Sequence, residues 1–300
     1  MKIPILVLAF NRADHVAKAM EAIREYRPER LYLECDGARK NKAGETEAVA
    51  LTRKTMLDMV DWPCEVKTLF REENLGCANA VYGAITWFFE HEEWGVIIED
   101  DVVVGQDFFR LCEELLPRYK DEERIMEISA ENHYPNSKDA NTYFYSLDFK
   151  CWGWASWARA WKQMDMKMTK WPEQGLTKLV KSFDLFKGCM MYYYWHSTYK
   201  NIETSSSWAT RWAFTIFAEN GLCIIPGVNL AVNIGTDGGA HYENGDVNPY
   251  AHLQVERMSF PIVYNDSIAL DERQRKLSNK DFFRIRMIGL RKKMSKIMRL

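Results

Sequence analysis

Three hundred residues, 47% of them hydrophobic and 27% charged, suit one large core or two merged ones, and no apolar run nears bilayer-spanning length. The net charge of −2 is uneven: residues 280–300 carry eight Lys/Arg against one Asp, a net +7, which leaves −9 on residues 1–279 and makes nucleic acid an unexpected partner for the body. Seven scattered cysteines without a CxxC pair argue against a zinc site or a disulfide framework and for reduced thiols in a cytoplasmic protein.

The opening Met1-Lys2-Ile3-Pro4 runs straight into strand-like sequence, so neither a signal nor a transit peptide is expected. Residues 3–10 (IPILVLAF) are almost wholly apolar and read as a central strand. Asn11-Arg12-Ala13-Asp14 turns into a helix reaching about Tyr26, with Asp14 placed to help cap it. A second strand at 31–35 closes in Asp36-Gly37. A helix over 45–60, a strand over 65–70 and a helix over 77–90 follow. The next strand, Val96-Ile97-Ile98, ends in Glu99-Asp100-Asp101. Such a βαβαβαβ order predicts an open, mostly parallel sheet, whose ligands bind beyond the carboxyl ends of its strands. Asn11, Arg12, Asp36 and the three carboxylates are therefore expected at one edge.

Three like charges at one strand end need either heavy solvation, as in an ordinary acidic turn, or a hard cation. Oxygen ligands of this kind suit Mg²⁺ or Mn²⁺ with positions left for phosphates. The first turn has no glycine, so the GxGxxG fingerprint is missing, and no GxxxxGK[ST] loop exists. NAD enzymes and P-loop ATPases are therefore not expected. A nucleoside diphosphate held through metal fits the strand-end Arg12, Asp36 and acidic triplet.

Further on, Ile125 to Ala130 reads as a strand, leaving Glu131 at its end, and Tyr143-Phe144-Tyr145 as another. Trp154, Trp157 and Trp161 recur at i, i+3 and i+7, the pattern of a buried helix stripe, while Trp152 offers an aromatic floor for a sugar. Residues 164–202 read as mostly helical. Cys223-Ile224-Ile225 is a strand, 233–241 a glycine-rich loop ending in His241, and 245–278 loop-like. Phe283, Met287, Leu290, Met294 and Ile297 then form a helical stripe, with most of the Lys/Arg outside it. That is a basic amphipathic helix suited to an anionic membrane surface, or else to dimerising or self-packing.

The ordered set PILVLAFNR, LECDG, REENLG and IIEDDVVVGQDFF, followed by WGWASW, SWATRW and NIGTDG, resembles the nucleotide-diphospho-sugar transferases of GT-A fold. The likeness is nearest to their N-acetylglucosaminyltransferase I-like branch and to bacterial surface-glycan members. It implies an α/β fold with an open, mixed, mostly parallel sheet flanked by helices. Residues 1–245 would be the transferase domain (1–104 the nucleotide half, 105–245 the acceptor half), 246–279 a connector and 280–300 the membrane helix. The implied reaction is inverting transfer from a UDP-sugar, GlcNAc-like favoured, to a glycan or lipid-linked acceptor at the cytoplasmic membrane face.

Residue by residue, the resemblance gives Asp101 the metal (Mn²⁺ or Mg²⁺), with Asp100 in support and Glu99 near sugar and ribose hydroxyls. Arg12 would meet the diphosphate. Asp36 would read the base or ribose, against an ordinary Asp-Gly turn. Asn74 would line the nucleotide pocket, against a simple cap, and Asn11 belongs to the same edge. His241 would reach metal or diphosphate from its loop. Apart from the resemblance, the tryptophans flanking Arg211 suggest a fixed, partly buried guanidinium that would touch phosphate. Relatives carry an Asp beside Ser-Trp-Ala, where this chain has only Ser205, Ser206, Ser207 and Ala209, so Glu131 and Glu203 are the candidate bases. That vacancy also admits a non-catalytic nucleotide-sugar-binding or scaffold protein. A sugar-nucleotide pyrophosphorylase would need a glycine-rich, lysine-bearing N-terminal loop, which is missing.

Overall fold

The computed structural model describes residues 2–235, 249–265 and 267–297. In chain order it holds β1 (Ile5–Ala9), α1 (Ala13–Tyr26), β2 (Arg30–Cys35), α2 (Glu45–Asp58), β3 (Glu65–Phe70), α3 (Cys77–Phe89), β4 (Trp94–Glu99), β5 (Val102–Val104) and α4 (Gln106–Arg118). Then come β6 (Ile125–Ser129), β7 (Tyr143–Ser146), β8 (Trp154–Trp157), α5 (Ala158–Trp161), α6 (Leu176–Ser182), α7 (Leu185–Lys200), α8 (Trp208–Ala218), β9 (Leu222–Pro226), β10 (Ala231–Asn233) and α9 (Glu272–Ile297).

Eight strands form one sheet in the order β3-β2-β1-β4-β8-β6-β9-β7. β3, β2, β1 and β4 are mutually parallel, β8 is antiparallel to both β4 and β6, and β9 is parallel to β6. Only β8 and β7 run against the rest. The expected fold class, an open, mostly parallel mixed sheet flanked by helices, is the observed one.

β1 explains why. Its apolar run alternates between two cores: Ile5 and Val7 face a cluster with α1, α2 and α4, whereas Leu6 and Leu8 face one with α3, α5 and α8. A strand covered on both faces needs this near-continuous hydrophobicity. Burying Leu6, fully covered, stabilises the fold by roughly 1.5–3 kcal/mol.

Three expectations are corrected. Trp154 and Trp157 lie in β8 and not in a helix stripe. Three residues apart on a strand, they point to opposite faces, Trp157 into the first core and Trp154 beside Trp161 into the second. Periodicity misled because both faces of the sheet are apolar. The C-terminal helix begins at Glu272, inside the stretch read as a loop, with Gln274 N–H donating to Asp271 at 2.7 Å. Its first turns bury Gln274, Ser278 and Asp281, which hydropathy does not reveal. Asp14 caps nothing: the N-cap position of α1 is Arg12, without a side-chain cap.

Candidate active site at the carboxyl edge of the sheet

Strand ends dictate what meets at the edge. β1 runs out into Phe10-Asn11-Arg12 and its neighbour β4 into Asp100-Asp101, so Arg12 Nη2 donates to Asp100 Oδ1 at 3.0 Å and Asp101 Oδ2 at 2.8 Å. Phe10 N–H also reaches Asp100, at 3.3 Å. Burial works against the Arg12 charge, but Asp100 and Asp101 outweigh it and raise its pKa. Its Nη1 is buried with no hydrogen-bond partner among the described residues. Burial, with Asp101 and Asp100 adding to it, pushes Glu99 up to about 8. Burial likewise lifts Asp100 to about 6, against the pull of Arg12. One guanidinium thus leaves three acids short of positive charge.

Asp101 is pinned from a second side. Asn233 Nδ2 donates to its Oδ1 at 3.2 Å and Ile234 N–H to its carbonyl at 2.8 Å, in the chain that leaves β10 after pairing with β5. A Cβ on Gly235 would stand 2.3 Å from Asp101 Oδ2 and 3.0 Å from its Cβ and Cγ, so a larger residue there would displace the carboxylate.

Asp36 and Asn74 meet, but on each other. The Asp36 carboxylate accepts the backbone N–H groups of Gly37, Leu75 and Gly76 and the Asn74 amide, at 2.9–3.2 Å. It is 5% exposed, and holds the loop from β3 into α3 against the end of β2. Asn11 turns to Glu45, which also receives Arg39. Asn11 and Asp36 follow the ends of β1 and β2, the strands on the far side of β4 from the tryptophan strand β8.

Further along the edge, the end of β6 and the start of antiparallel β8 bring Glu131 and Trp152 together: Trp152 N–H donates to Glu131 Oε2 at 3.1 Å. Gly153 follows with φ +71°, a left-handed conformation, and a Cβ there would strike Val104. Glu131 is 3% exposed and its Oε1 pairs with His133 Nε2. Lys150 Nζ lies 2.8 Å from His133 Nδ1. An ammonium only donates, so Nδ1 accepts and the proton of a neutral ring sits on Nε2, facing Glu131. The directions agree: burial and Lys150 lower the His133 pKa. Burial raises Glu131, but His133, Lys150 and the Trp152 N–H outweigh it and leave the pKa lowered. Tyr250 stacks on the imidazole with centroids 3.4 Å apart.

β8 alone separates β4 from β6, so the acidic cluster and Glu131 are about 10 Å apart. Trp152 is half-buried at the Glu131 side of that separation, its ring 5.9 Å from the His133 imidazole. His133 and Lys150 were not singled out in the sequence, although a His two residues past a strand-end Glu was the available signal.

Other candidates lie apart. Arg211 is 4% exposed on α8, and its Nη2 donates to the carbonyls of Ile202 (2.6 Å) and Ser205 (2.9 Å), bracing that turn. Glu203 is exposed in the same turn. His241 falls outside the described residues.

Among the described residues no three His, Cys, Asp or Glu side chains gather as a ready-made metal cage. The donor chemistry nonetheless fits Mn²⁺ or Mg²⁺ completed by water and phosphate: all-oxygen ligands, and negative charge that one arginine leaves unbalanced. Asp101, with Asp100 and Glu99 beside it, would hold such an ion.

No family model matches the sequence, and no curated protein matches it. Among solved structures, a UDP-glucose pyrophosphorylase complexed with UDP-glucose aligns at 10% identity with a TM-score of 0.39, over 75% of this chain and 90% of its own. Mouse xyloside xylosyltransferase 1 aligns at 9% identity and TM-score 0.38, over 72% and 81%. The glycosyltransferase GlyE of Streptococcus pneumoniae aligns at 11% and 0.31, over 67% and 50%. These neighbours are named as glycosyltransferases and a sugar nucleotidyltransferase, and likenesses this loose carry nothing about the reaction of this chain.

Proposed function

We propose that this protein is a metal-dependent glycosyltransferase that moves a sugar, GlcNAc-like favoured, from a UDP-sugar to a bacterial surface-glycan or lipid-linked acceptor with inversion. One observation carries the reading: a single sheet edge bears an acid–arginine cluster short of positive charge and, two strands away, a buried ionised carboxylate backed by an imidazole and an ammonium.

Mn²⁺ or Mg²⁺, when bound, supplies Lewis-acid neutralisation of the departing diphosphate. The chain's own groups do the rest. Asp101, fixed by Arg12 and Asn233, presents carboxylate oxygen at the crevice, and the unpartnered Arg12 Nη1 suits a phosphate oxygen. Trp152 floors the sugar. Glu131 accepts the acceptor hydroxyl proton as that oxygen attacks the anomeric carbon, and the bond to the diphosphate breaks with its electron pair leaving on the phosphate. His133 and Lys150 hold Glu131 ionised until then.

The test is calorimetric titration of UDP with and without Mn²⁺, followed by UDP-sugar turnover. Mn²⁺-dependent binding and slow hydrolysis support the reading, and binding that ignores Mn²⁺ sinks it. An NMR assay finding a retained anomeric configuration removes the inversion. A non-catalytic nucleotide-sugar-binding protein is the second reading, favoured by the occupation of both Glu131 oxygens. Mn²⁺-dependent binding with no turnover on any acceptor would support it.

The basic C-terminal segment is read as a peripheral anchor at the cytoplasmic membrane face. No helix of the described residues is long and apolar enough to cross a membrane. Phe283 and Ile288 of α9 are 47% and 46% exposed, while eight Lys/Arg crowd 280–300. Removing 289–300 should abolish flotation with phosphatidylglycerol vesicles.

A further inference from the structure

A pocket of about 330 Å³ opens between the β7–β8 connection, α7 and α9, with Tyr134, Lys150 and Tyr250 on its rim. Two of these residues touch the Glu131 relay, since Lys150 meets His133 Nδ1 and Tyr250 stacks on the imidazole. The pocket therefore ends where the proposed base begins. Phe149, Trp195 and Phe282 give it aromatic walls.

Its lining carries three cations, Lys150, Lys187 and Arg286, against one carboxylate, Asp148. Lys187, 4% exposed, donates to Asp148 at 2.5 Å and to Ser278 at 2.7 Å, which settles that pair. Lys150 has the His133 imidazole as its near partner, with Glu131 beyond the ring and Asp148 interacting with it through space. Arg286 lies over the Tyr194 and Phe282 rings, at 4.6 and 5.2 Å. Among the described residues no ion pair joins a carboxylate to Lys150 or to Arg286. A point-like ammonium and a planar guanidinium lining one pocket suit a group with several anionic oxygens, and the aromatic walls suit the apolar face of a sugar ring.

We infer that this pocket binds a phosphate-bearing sugar acceptor, its phosphate between Lys150 and Arg286 and its ring against the aromatic walls. The inference rests on the glycosyltransferase reading for the word acceptor, and on the pocket alone for the anion.

Titrate the full chain with glucose 6-phosphate, glucose and dodecyl phosphate, following tryptophan fluorescence, with UDP plus Mn²⁺ run in parallel on the parent protein. Glucose 6-phosphate should bind at least tenfold more tightly than glucose. Its binding should weaken with added salt, and Lys150→Gln and Arg286→Gln should each loosen it about five- to tenfold. The salt dependence of the parent keeps the test decisive if a variant unfolds. Dodecyl phosphate binding at the same two residues, without glucose 6-phosphate, would still support the phosphate site and make its source a lipid headgroup. Equal affinity for glucose and its phosphate, or no binding of any phosphate while UDP binds with Mn²⁺, would overturn the pocket and leave the transferase reading standing. Phosphate binding lost in the variants, with no Mn²⁺-dependent UDP binding, would keep the pocket and remove the transferase reading.

Discussion

The two ends of the sheet edge keep their carboxylates by opposite means. On the β1–β4 side, three acids stand consecutively at the end of one strand and share one arginine, so burial and mutual repulsion lift Glu99 to about 8 and Asp100 to about 6. On the β6–β8 side a single acid has a backbone N–H, an imidazole and an ammonium behind it, and its pKa falls despite equal enclosure. The first end is short of a cation, whereas the second has been supplied with one. A pair of groups pushed apart in this way is what a transfer reaction needs: one site to receive charge on a leaving group, another to hold a ready base.

Breaking the first end should have the largest effect. Asp101→Ala is expected to reduce UDP-sugar turnover about 100- to 1,000-fold, with Mn²⁺-dependent UDP binding lost in calorimetry. Turnover equal to the parent would remove the cluster from the mechanism. At the second end, Glu131→Gln keeps the Trp152 contact but removes the base, so kcat should drop about 100-fold while UDP binding in the same calorimeter holds.

Gly235→Ala tests the support of the first end without touching a charge. Its Cβ would press on Asp101, and about a tenfold weaker Mn²⁺ dependence of UDP binding is expected. An unchanged Mn²⁺ titration would mean that Asp101 moves aside freely.

Glu34 makes the purest contrast, in stability and without any effect on turnover. Burial raises it to about 8 even with Arg71 at 3.5 Å, because Arg71 offers none of the close contacts that Glu131 enjoys. Folded Glu34 keeps its proton up to about pH 8, while the unfolded chain releases it near 4.5. Between those values the unfolded state binds fewer protons, so stability falls as pH rises, by up to about 1.4 kcal/mol per unit. Urea unfolding at pH 5 and pH 8 should show Glu34→Gln losing less than the parent over that interval. Equal losses would mean the carboxyl is ionised after all.

By itself the sequence determined the parallel half. The apolar run at 3–10, the Asp-Gly after the second strand and the acid triplet after the fourth are local signals, and a right-handed βαβ order carries each strand end to the same edge. It also determined that Glu131 ends a strand. Tertiary structure decided the rest, because those contacts join distant segments. Asp36 and Asn74, two candidates for one ligand, bind each other instead. Arg211 braces a turn. The tryptophan segment could serve as helix or strand while both faces are apolar, and only pairing between β4 and β6 made it β8. His133 and Lys150, separated by seventeen residues, become one relay only because the antiparallel β8 brings its N-terminal end back beside the end of β6.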